Sequence, residues 1–221
     1  LAKDPKNLLA LNYMAQIYYR YKVYDTAKIY QQQILDLGDK NPEDEAMMAN
    51  IYFQSKDYDG AINKISEIIK GDNKYNYLNR LIGYSYFETG KYAEAQEFLN
   101  KFLASQPKER ILASDYEYLG NSILKSGGDQ AEAINAFKKG YELNPNDIEG
   151  VKKIGSIFKS MKLYDEAINY YTKATQLPEV TSQEYFELAG IYYAKKDFTN
   201  ADAMYSKTIE LAPTSAGTYY M

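Results

Sequence analysis

The feature that most constrains this chain is a repeat marked by six alanines. They follow one another at intervals of 34, 34, 38, 34 and 34 residues, in the series Ala27, Ala61, Ala95, Ala133, Ala167 and Ala201. An aromatic residue stands three positions before the alanine in five of the six cases, and Gln130 is the exception. A small residue stands twelve or thirteen positions before it, as Ala15, Ala49, Gly83, Gly120, Gly155 and Ala189. A fixed period of this length predicts an array of similar units that stack on one another.

The last unit, residues 182–215, indicates what each copy encodes. Apolar or small residues recur at helical spacing over residues 185–192, and a second such face runs over residues 201–211. A polar stretch at residues 195–197 separates the two faces, and Pro213 ends the second because proline has no amide hydrogen for a continuing helix. The pattern therefore predicts a helical hairpin.

The spacing and the order of small and large positions resemble the tetratricopeptide repeat family, whose unit is 34 residues long. The resemblance implies an all-α fold, a right-handed superhelical α-solenoid of stacked antiparallel helix pairs. It implies one domain over residues 1–221, with repeats near 8–41, 42–75, 76–109, 113–147, 148–180 and 182–215. Both ends read as partial repeats, which we interpret as a segment of a longer protein. The early tryptophan of the family is absent, because the chain has no tryptophan.

The small residue of each repeat is expected to let the two helices of a hairpin approach closely. A helix of about 14 residues is about 20 Å long and is not stable alone in water. Stability must therefore come from packing within and between hairpins. A bulky residue at Gly155 is predicted to overpack this contact, at a cost of about 1–3 kcal/mol.

Two insertions account for the one long interval. Three extra residues, 108–110, separate the third and fourth repeats, and Gly127 with Gly128 adds one residue to the turn of the fourth hairpin. The first insertion predicts either a changed stacking angle or a neutral surface insertion, since connecting segments tolerate length changes. The glycine pair has neither a preceding strand nor a following lysine and serine or threonine, so it does not indicate a phosphate-binding loop.

Composition excludes several functions. With 26 Lys and Arg against 30 Asp and Glu, the net charge is −4 and the pI is near 5.1, which argues against nucleic acid or an anionic membrane as partner. No apolar run approaches the roughly 20 residues of a membrane span. The chain has no Cys and no His, so thiol catalysis, thiolate metal sites and the commonest general base are excluded. We expect no catalytic site, no cofactor and no metal. The compartment stays open between cytoplasmic and exported, because a targeting segment would lie outside this chain.

In the family, ligands bind the concave face that is lined by the first helix of each hairpin. The resemblance maps that face onto Asn12, Tyr13, Gln16, Tyr19, Arg20, Asn50, Phe53, Tyr77, Arg80, Tyr84, Phe87, Tyr118, Asn121, Lys125, Lys152 and Lys159. Amides can hydrogen-bond a peptide backbone, and tyrosine offers a large contact area at low rotamer entropy. The alternative is that the rings pack between adjacent first helices. The lysines 125, 152 and 159 could hold an acidic peptide, or could form a solvated charged face.

These observations favour a non-enzymatic scaffold that binds a peptide or protein segment in the concave groove. The alternative is a structural module of a larger assembly that self-associates through the ends of the solenoid. The lysine and asparagine pattern with which some family members clamp chaperone tails is absent from both halves of the chain.

Overall fold

The computed structural model describes residues 4–38, 41–70 and 73–213, and these ranges fold as twelve α-helices with two short 3₁₀ segments and no strand. The helices are α1 (Leu8–Arg20), α2 (Tyr24–Leu37), α3 (Pro42–Gln54), α4 (Tyr58–Ile69), α5 (Asn79–Glu88), α6 (Tyr92–Ser105), α7 (Ala113–Lys125), α8 (Gln130–Leu143), α9 (Ile148–Ser160), α10 (Tyr164–Ala174), α11 (Ser182–Ala194) and α12 (Phe198–Leu211). The 3₁₀ segments are Asn73–Leu78 and Lys108–Arg110. The predicted all-α fold of paired helices is confirmed. The residues assigned to partial repeats, 1–5 and 217–221, lie mostly or wholly outside the described ranges.

The chain divides into two compact units, residues 1–136 and 137–221, and the division falls within α8. In the first unit α1 packs on α2, α3 on α4 and α5 on α6, and each second helix also contacts the first helix of the next repeat. In the second unit α9 packs on α10, α10 on α11 and α11 on α12. Each unit is thus built by the same local rule: a helix packs on its hairpin partner and on the next repeat.

The six alanines lie on the buried face of the second helix of each hairpin. Each of them is at most 2% exposed, so no larger side chain fits where they lie. The neighbouring small residue allows the close approach that the sequence predicted. A Cβ atom added to Gly155 would stand 2.9 Å from the Tyr171 ring, and one added to Gly83 would stand 2.9 Å from Leu99 Cγ.

The turn inside each hairpin contains one residue with left-handed backbone geometry. Lysine occupies this place in four repeats, with φ between 58° and 65° at Lys22, Lys56, Lys162 and Lys196, and glycine occupies it at Gly90 and Gly127 with φ of 77°. The left-handed residue lets the next amide reach the carbonyl five residues earlier, as in Asp197 N to Tyr192 O at 2.9 Å. The fourth turn is one residue longer than the others, as the glycine pair predicted.

The three-residue insertion before α7 forms the 3₁₀ turn Lys108–Arg110. Pro107 stands before it in extended geometry, and the Ile111 amide donates to Lys108 O at 3.1 Å. The carbonyl oxygen of Arg110 accepts a hydrogen bond from the Arg80 guanidinium of α5. The insertion is therefore fastened to the third repeat.

Candidate functional site

Among the described residues of the first unit, four aromatic side chains form a continuous series of ring contacts, which we call the aromatic surface: Phe53, Tyr84, Phe87 and Tyr118. They come from α3, α5 and α7, the first helices of three successive repeats, and each is partly exposed. Tyr84 and Tyr118 stack with ring centroids 4.0 Å apart and an interplanar angle of 19°. Phe87 meets Tyr118 edge to face at 5.0 Å, and Phe53 lies 6.3 Å from Tyr84. The structure thus brings together four residues that the sequence placed on one face.

Two rings from second helices extend this surface. Tyr58 of α4 meets Phe53 edge to face at 5.5 Å, and Tyr92 of α6 meets Phe87 in the same way at 5.4 Å. The ammonium group of Lys125 lies 5.1 Å from the Phe87 ring centroid and 5.2 Å from that of Tyr92. Sequence reasoning missed Tyr58 and Tyr92 as surface residues because it assigned ligand contacts to first helices alone.

A buried carboxylate holds one end of the aromatic surface in place. Asp115 is fully buried and accepts two hydrogen bonds from the Arg80 guanidinium, both at 2.8 Å. It also accepts the Tyr84 hydroxyl at 2.7 Å and the Leu112 amide at 2.7 Å. The guanidinium lies over the Phe102 ring, 4.4 Å from its centroid. Arg80 was predicted to contact a ligand, but its guanidinium hydrogen-bonds Asp115 and so connects the third repeat to the fourth.

The hydroxyl groups of the stacked pair both have raised pKa values. Burial raises the pKa of Tyr84 far above its ordinary value, and the nearby Asp115 carboxylate raises it further. Burial also raises the pKa of Tyr118, together with its 2.9 Å hydrogen bond to Glu88. Both hydroxyls thus act as hydrogen-bond donors to carboxylates of the chain itself.

Two amides stand one turn away from rings of the aromatic surface. Asn50 precedes Phe53 on α3, and its amide nitrogen donates to Ala46 O at 2.9 Å. Asn121 follows Tyr118 on α7, and its amide nitrogen donates to Glu117 O at 2.8 Å. Both side chains are partly exposed. Each uses one N–H on its own helix, which leaves the side-chain carbonyl oxygen to accept a hydrogen bond from a ligand.

The predicted residues of the first repeat lie on α1. Tyr13, Gln16 and Arg20 are exposed, and Gln16 donates to Asn12 Oδ1 at 2.6 Å. Tyr19 is partly buried against Tyr24, 5.9 Å away and edge to face. Another predicted residue, Tyr77, is 41% exposed and belongs to the 3₁₀ segment that precedes α5. None of these residues has a ring contact with the aromatic surface among the described residues.

The predicted lysines of the second unit are engaged with carboxylates. Lys152 contacts Glu149 at 3.0 Å and Glu184 at 2.9 Å, and Lys159 contacts Glu187 at 2.7 Å. The two carboxylate partners on α11 belong to the next repeat, so these ion pairs connect α9 to α11. An acidic ligand would have to compete with carboxylates that are already in place.

Sequence reasoning missed Asp115 and Glu184, the two carboxylates that are fully buried among the described residues. Glu184 accepts both the hydroxyl and the backbone amide of Thr181 at 2.7 Å. Burial opposes its ionisation, but the hydrogen bonds from Thr181 and Lys152 outweigh burial and lower its pKa. The Thr-x-x-Glu spacing of residues 181–184 is a capping-box signature, and it could have revealed Glu184.

The described residues contain neither a membrane-spanning helix nor a metal-binding cluster of acidic side chains. No helix there is both long enough and apolar enough to cross a membrane. No group of three or more Asp and Glu side chains there could hold a metal ion.

Comparisons with known proteins agree with the helical-repeat fold. A tetratricopeptide repeat model matches residues 153–180 and 185–215, and a model described as the TT21 fifth ARM repeats domain matches residues 42–144. Tetratricopeptide repeat protein 37 of Xenopus laevis is 29% identical over 137 residues, which are 60% of this chain but 8% of that relative. The chain therefore spans less than a tenth of this relative's length.

Solved structures of two repeat proteins share the fold. The C-terminal part of a TPR repeat-containing protein from Cytophaga hutchinsonii has a TM-score of 0.66 at 24% identity, over 77% of this chain and 66% of that one. YrrB, described as a TPR protein with an unusual peptide-binding site, has a TM-score of 0.67 at 18% identity, over 85% and 95%. At these identities the likeness concerns the fold alone.

Proposed function

We propose that the chain, in which a tetratricopeptide repeat model matches residues 153–180 and 185–215, is a non-enzymatic interaction module that binds a segment of another protein on the aromatic surface. Tetratricopeptide repeats commonly serve as protein-interaction scaffolds. The observation that carries the proposal is the continuous contact of partly exposed rings across α3, α5 and α7. Such a surface offers a large contact area whose side chains are already ordered, so binding costs little further rotamer entropy.

The flanking groups define the ligand by its chemistry. The carbonyl oxygens of Asn50 and Asn121 can accept hydrogen bonds from the backbone N–H groups of an extended peptide. The rings favour apolar or aromatic side chains, which would pack on Tyr118 and Phe87. Lys125 covers one end of the surface with a positive charge, and Glu88 is exposed near Tyr118. We therefore expect a mainly apolar segment with few charges, read by its backbone as well as its side chains.

A solved structure with the same fold supports the proposal that the chain binds a peptide segment. YrrB is described as having an unusual peptide-binding site. The present proposal depends on the rings and amides of this chain, not on the site of YrrB.

The test is selection of 12- to 15-residue peptides from a random displayed library, followed by fluorescence anisotropy with the selected peptides. The double variant Asn50→Ala/Asn121→Ala removes the two carbonyl acceptors. The matched control Asn63→Ala/Asn100→Ala removes two exposed amides from α4 and α6. Loss of two ligand hydrogen bonds predicts affinity weaker by about tenfold or more in the first double variant.

The control is expected to bind like wild type, and circular dichroism would check that both variants stay folded. Equal affinity of the two double variants would refute backbone recognition by Asn50 and Asn121. If every selected peptide bound the Tyr118→Ala variant as tightly as wild type, the aromatic surface would be refuted as the site.

A second candidate function is self-association, which an exposed stripe on α1 favours. The stripe consists of Leu9, Tyr13 and Ile17 of α1 and of Tyr21, which directly follows the helix, and these four side chains are 45–77% exposed. The residue equivalent to Ile17 is fully buried in four other repeats, as Ile51, Ser85, Ser122 and Ile191. Pairing of two copies through this stripe predicts a dimer in sedimentation velocity that Ile17→Glu converts to monomer, whereas a monomeric wild type would exclude it.

A further inference from the structure

Four repeats carry the same pair of rings at the hairpin turn. The ring near the end of the first helix meets, edge to face, the first ring of the second helix. The pairs are Tyr19 with Tyr24, Phe53 with Tyr58, Phe87 with Tyr92 and Tyr193 with Phe198, at centroid distances of 5.9, 5.5, 5.4 and 5.6 Å. Their interplanar angles lie between 61° and 68°. The repeat thus builds one local geometry several times.

Among the described residues a lysine covers an edge-to-face pair of rings in two places, one of them at a hairpin turn and the other between α8 and α10. Lys125 lies 5.1 and 5.2 Å from the ring centroids of Phe87 and Tyr92. In the second unit Lys173 lies 4.4 and 4.8 Å from the centroids of Tyr141 and Tyr170, a pair whose rings are 5.3 Å apart. An ammonium group is attracted by the negative faces of both rings, so an edge-to-face pair forms a binding place for a cation.

The Tyr193–Phe198 pair has this geometry but stands open. Tyr193 is 61% exposed and Phe198 is 59% exposed, and within the described part of the chain no lysine or arginine lies over either ring. The pair borders a cavity of about 490 Å³ that Ala201, Asp202 and Tyr205 complete. Of these lining residues, Ala201 is buried and Tyr205 is partly buried.

The carboxylate at this cavity supports a cationic ligand. Asp202 is exposed and lines the cavity, and the equivalent position of the third repeat is the uncharged Gln96. A negative charge next to two ring faces favours a cation by direct Coulomb attraction as well as by the ring quadrupoles. An apolar side chain would gain nothing from Asp202.

We propose that the cavity bordered by Tyr193, Phe198, Asp202 and Tyr205 binds the side chain of a lysine from a partner protein. The alkyl stem lies against Ala201 and Tyr205, and the ammonium group lies over the Tyr193–Phe198 pair beside Asp202. The site is in the second unit and uses no residue of the aromatic surface. Its failure or success is therefore separate from that of the function proposed above.

The experiment uses n-butylammonium chloride as the probe and 1-butanol as its neutral isostere. Each is titrated into the isotopically labelled full chain, and the ring signals of Tyr193 and Phe198 are followed by NMR. We expect saturable shifts with butylammonium, and binding weaker by about fivefold or more in Phe198→Leu, which keeps an apolar side chain but removes the ring. Asp202→Asn is expected to weaken binding as well, and to remove most of its dependence on salt.

The control variant is Glu210→Gln, which removes a similarly exposed carboxylate from α12 outside the cavity. It is expected to bind butylammonium like wild type. Equal shifts with butanol would mean that the cavity accepts any short alkyl chain, and this would overturn the proposal. Unchanged binding in Phe198→Leu, or no saturable shift with butylammonium, would overturn it too.

Discussion

Replacing Gly155 by alanine tests whether close helix approach holds the hairpins together. Gly155 lies on α9 and faces α10, where a Cβ atom would stand 2.9 Å from Tyr171 Cε2 and 3.0 Å from Cδ2. Tyr171 is only 4% exposed, so its ring cannot swing out without disturbing its neighbours. Gly190, on α11, is the matched control, because nothing lies within 4 Å of the Cβ atom it would gain.

The two substitutions share one effect and differ in another. Alanine stabilises a helix interior relative to glycine by about 0.5–1 kcal/mol, and this gain applies to both positions. Overpacking at Gly155 costs about 1–3 kcal/mol. We therefore expect Gly190→Ala to stabilise the protein by up to about 1 kcal/mol. The difference in unfolding free energy between the two variants should equal the overpacking cost alone.

Urea unfolding followed by circular dichroism at 222 nm measures this difference. Arrays of repeats can unfold in more than one step, so the transition of the second unit should be fitted separately where two steps are seen. A Gly155→Ala variant as stable as Gly190→Ala would refute the reasoning, because the contact with Tyr171 would then cost nothing.

Three further predictions concern ion pairs, pH and turns. Arg80→Met leaves the buried Asp115 without its cation and should destabilise the first unit by about 2–4 kcal/mol, less than for a fully enclosed pair because Arg80 is 28% exposed. Lys101→Met breaks the exposed pair with Glu97 and should change urea stability by less than about 0.5 kcal/mol; equal effects would contradict the role of Asp115. Glu184 has a folded-state pKa below its ordinary value of 4.5, so the stability it contributes is present above that pH and is lost as the pH falls through the folded pKa. Glu184→Gln should therefore melt below wild type at pH 7, and the gap should shrink in melts at about pH 3; a gap that widens in acid would reverse the sign of the argument. Lys196→Gly removes the strain of a side chain in left-handed geometry and should raise both the melting temperature and the stability, the latter by up to about 1 kcal/mol. Gly90→Ala puts a side chain into the same geometry and should lower the stability by about the same amount; shifts of the opposite sign would show that the turn is not strained.

The fold could be predicted from the sequence because every repeat has small residues at the positions where its two helices must pack closely. A buried alanine on the second helix and a small residue opposite it leave few arrangements for two helices, and Ala27 and Ala201 are buried alike. The left-handed turn was harder to recognise. Lysine occupies it at Lys22 and Lys196, and a lysine carries no sequence signal for positive φ.

The candidate site was predictable only in part, because its contacts join residues about 30 positions apart. The spacing placed Tyr84 and Tyr118 on one face, and they stack at 4.0 Å. Nothing local marks Asp115 as the buried partner of Arg80, since an acidic residue in the first turn of a helix usually stays exposed as part of a cap. Glu184 and Glu187, which pair with Lys152 and Lys159, likewise belong to the following repeat, so no local pattern reveals these ion pairs.

The 3₁₀ turn at Lys108–Arg110 has a consequence for the evolution of this chain. The carbonyl oxygen of Arg110 accepts a hydrogen bond from the Arg80 guanidinium, which also donates to Asp115. Asp115 in turn accepts a hydrogen bond from the Tyr84 hydroxyl. Lengthening or shortening this connector by one residue would move Arg80 and Asp115, which hold the Tyr84 hydroxyl, without changing any aromatic residue of the sequence. We therefore expect chains that differ from this one only in connector length to orient Tyr84 differently.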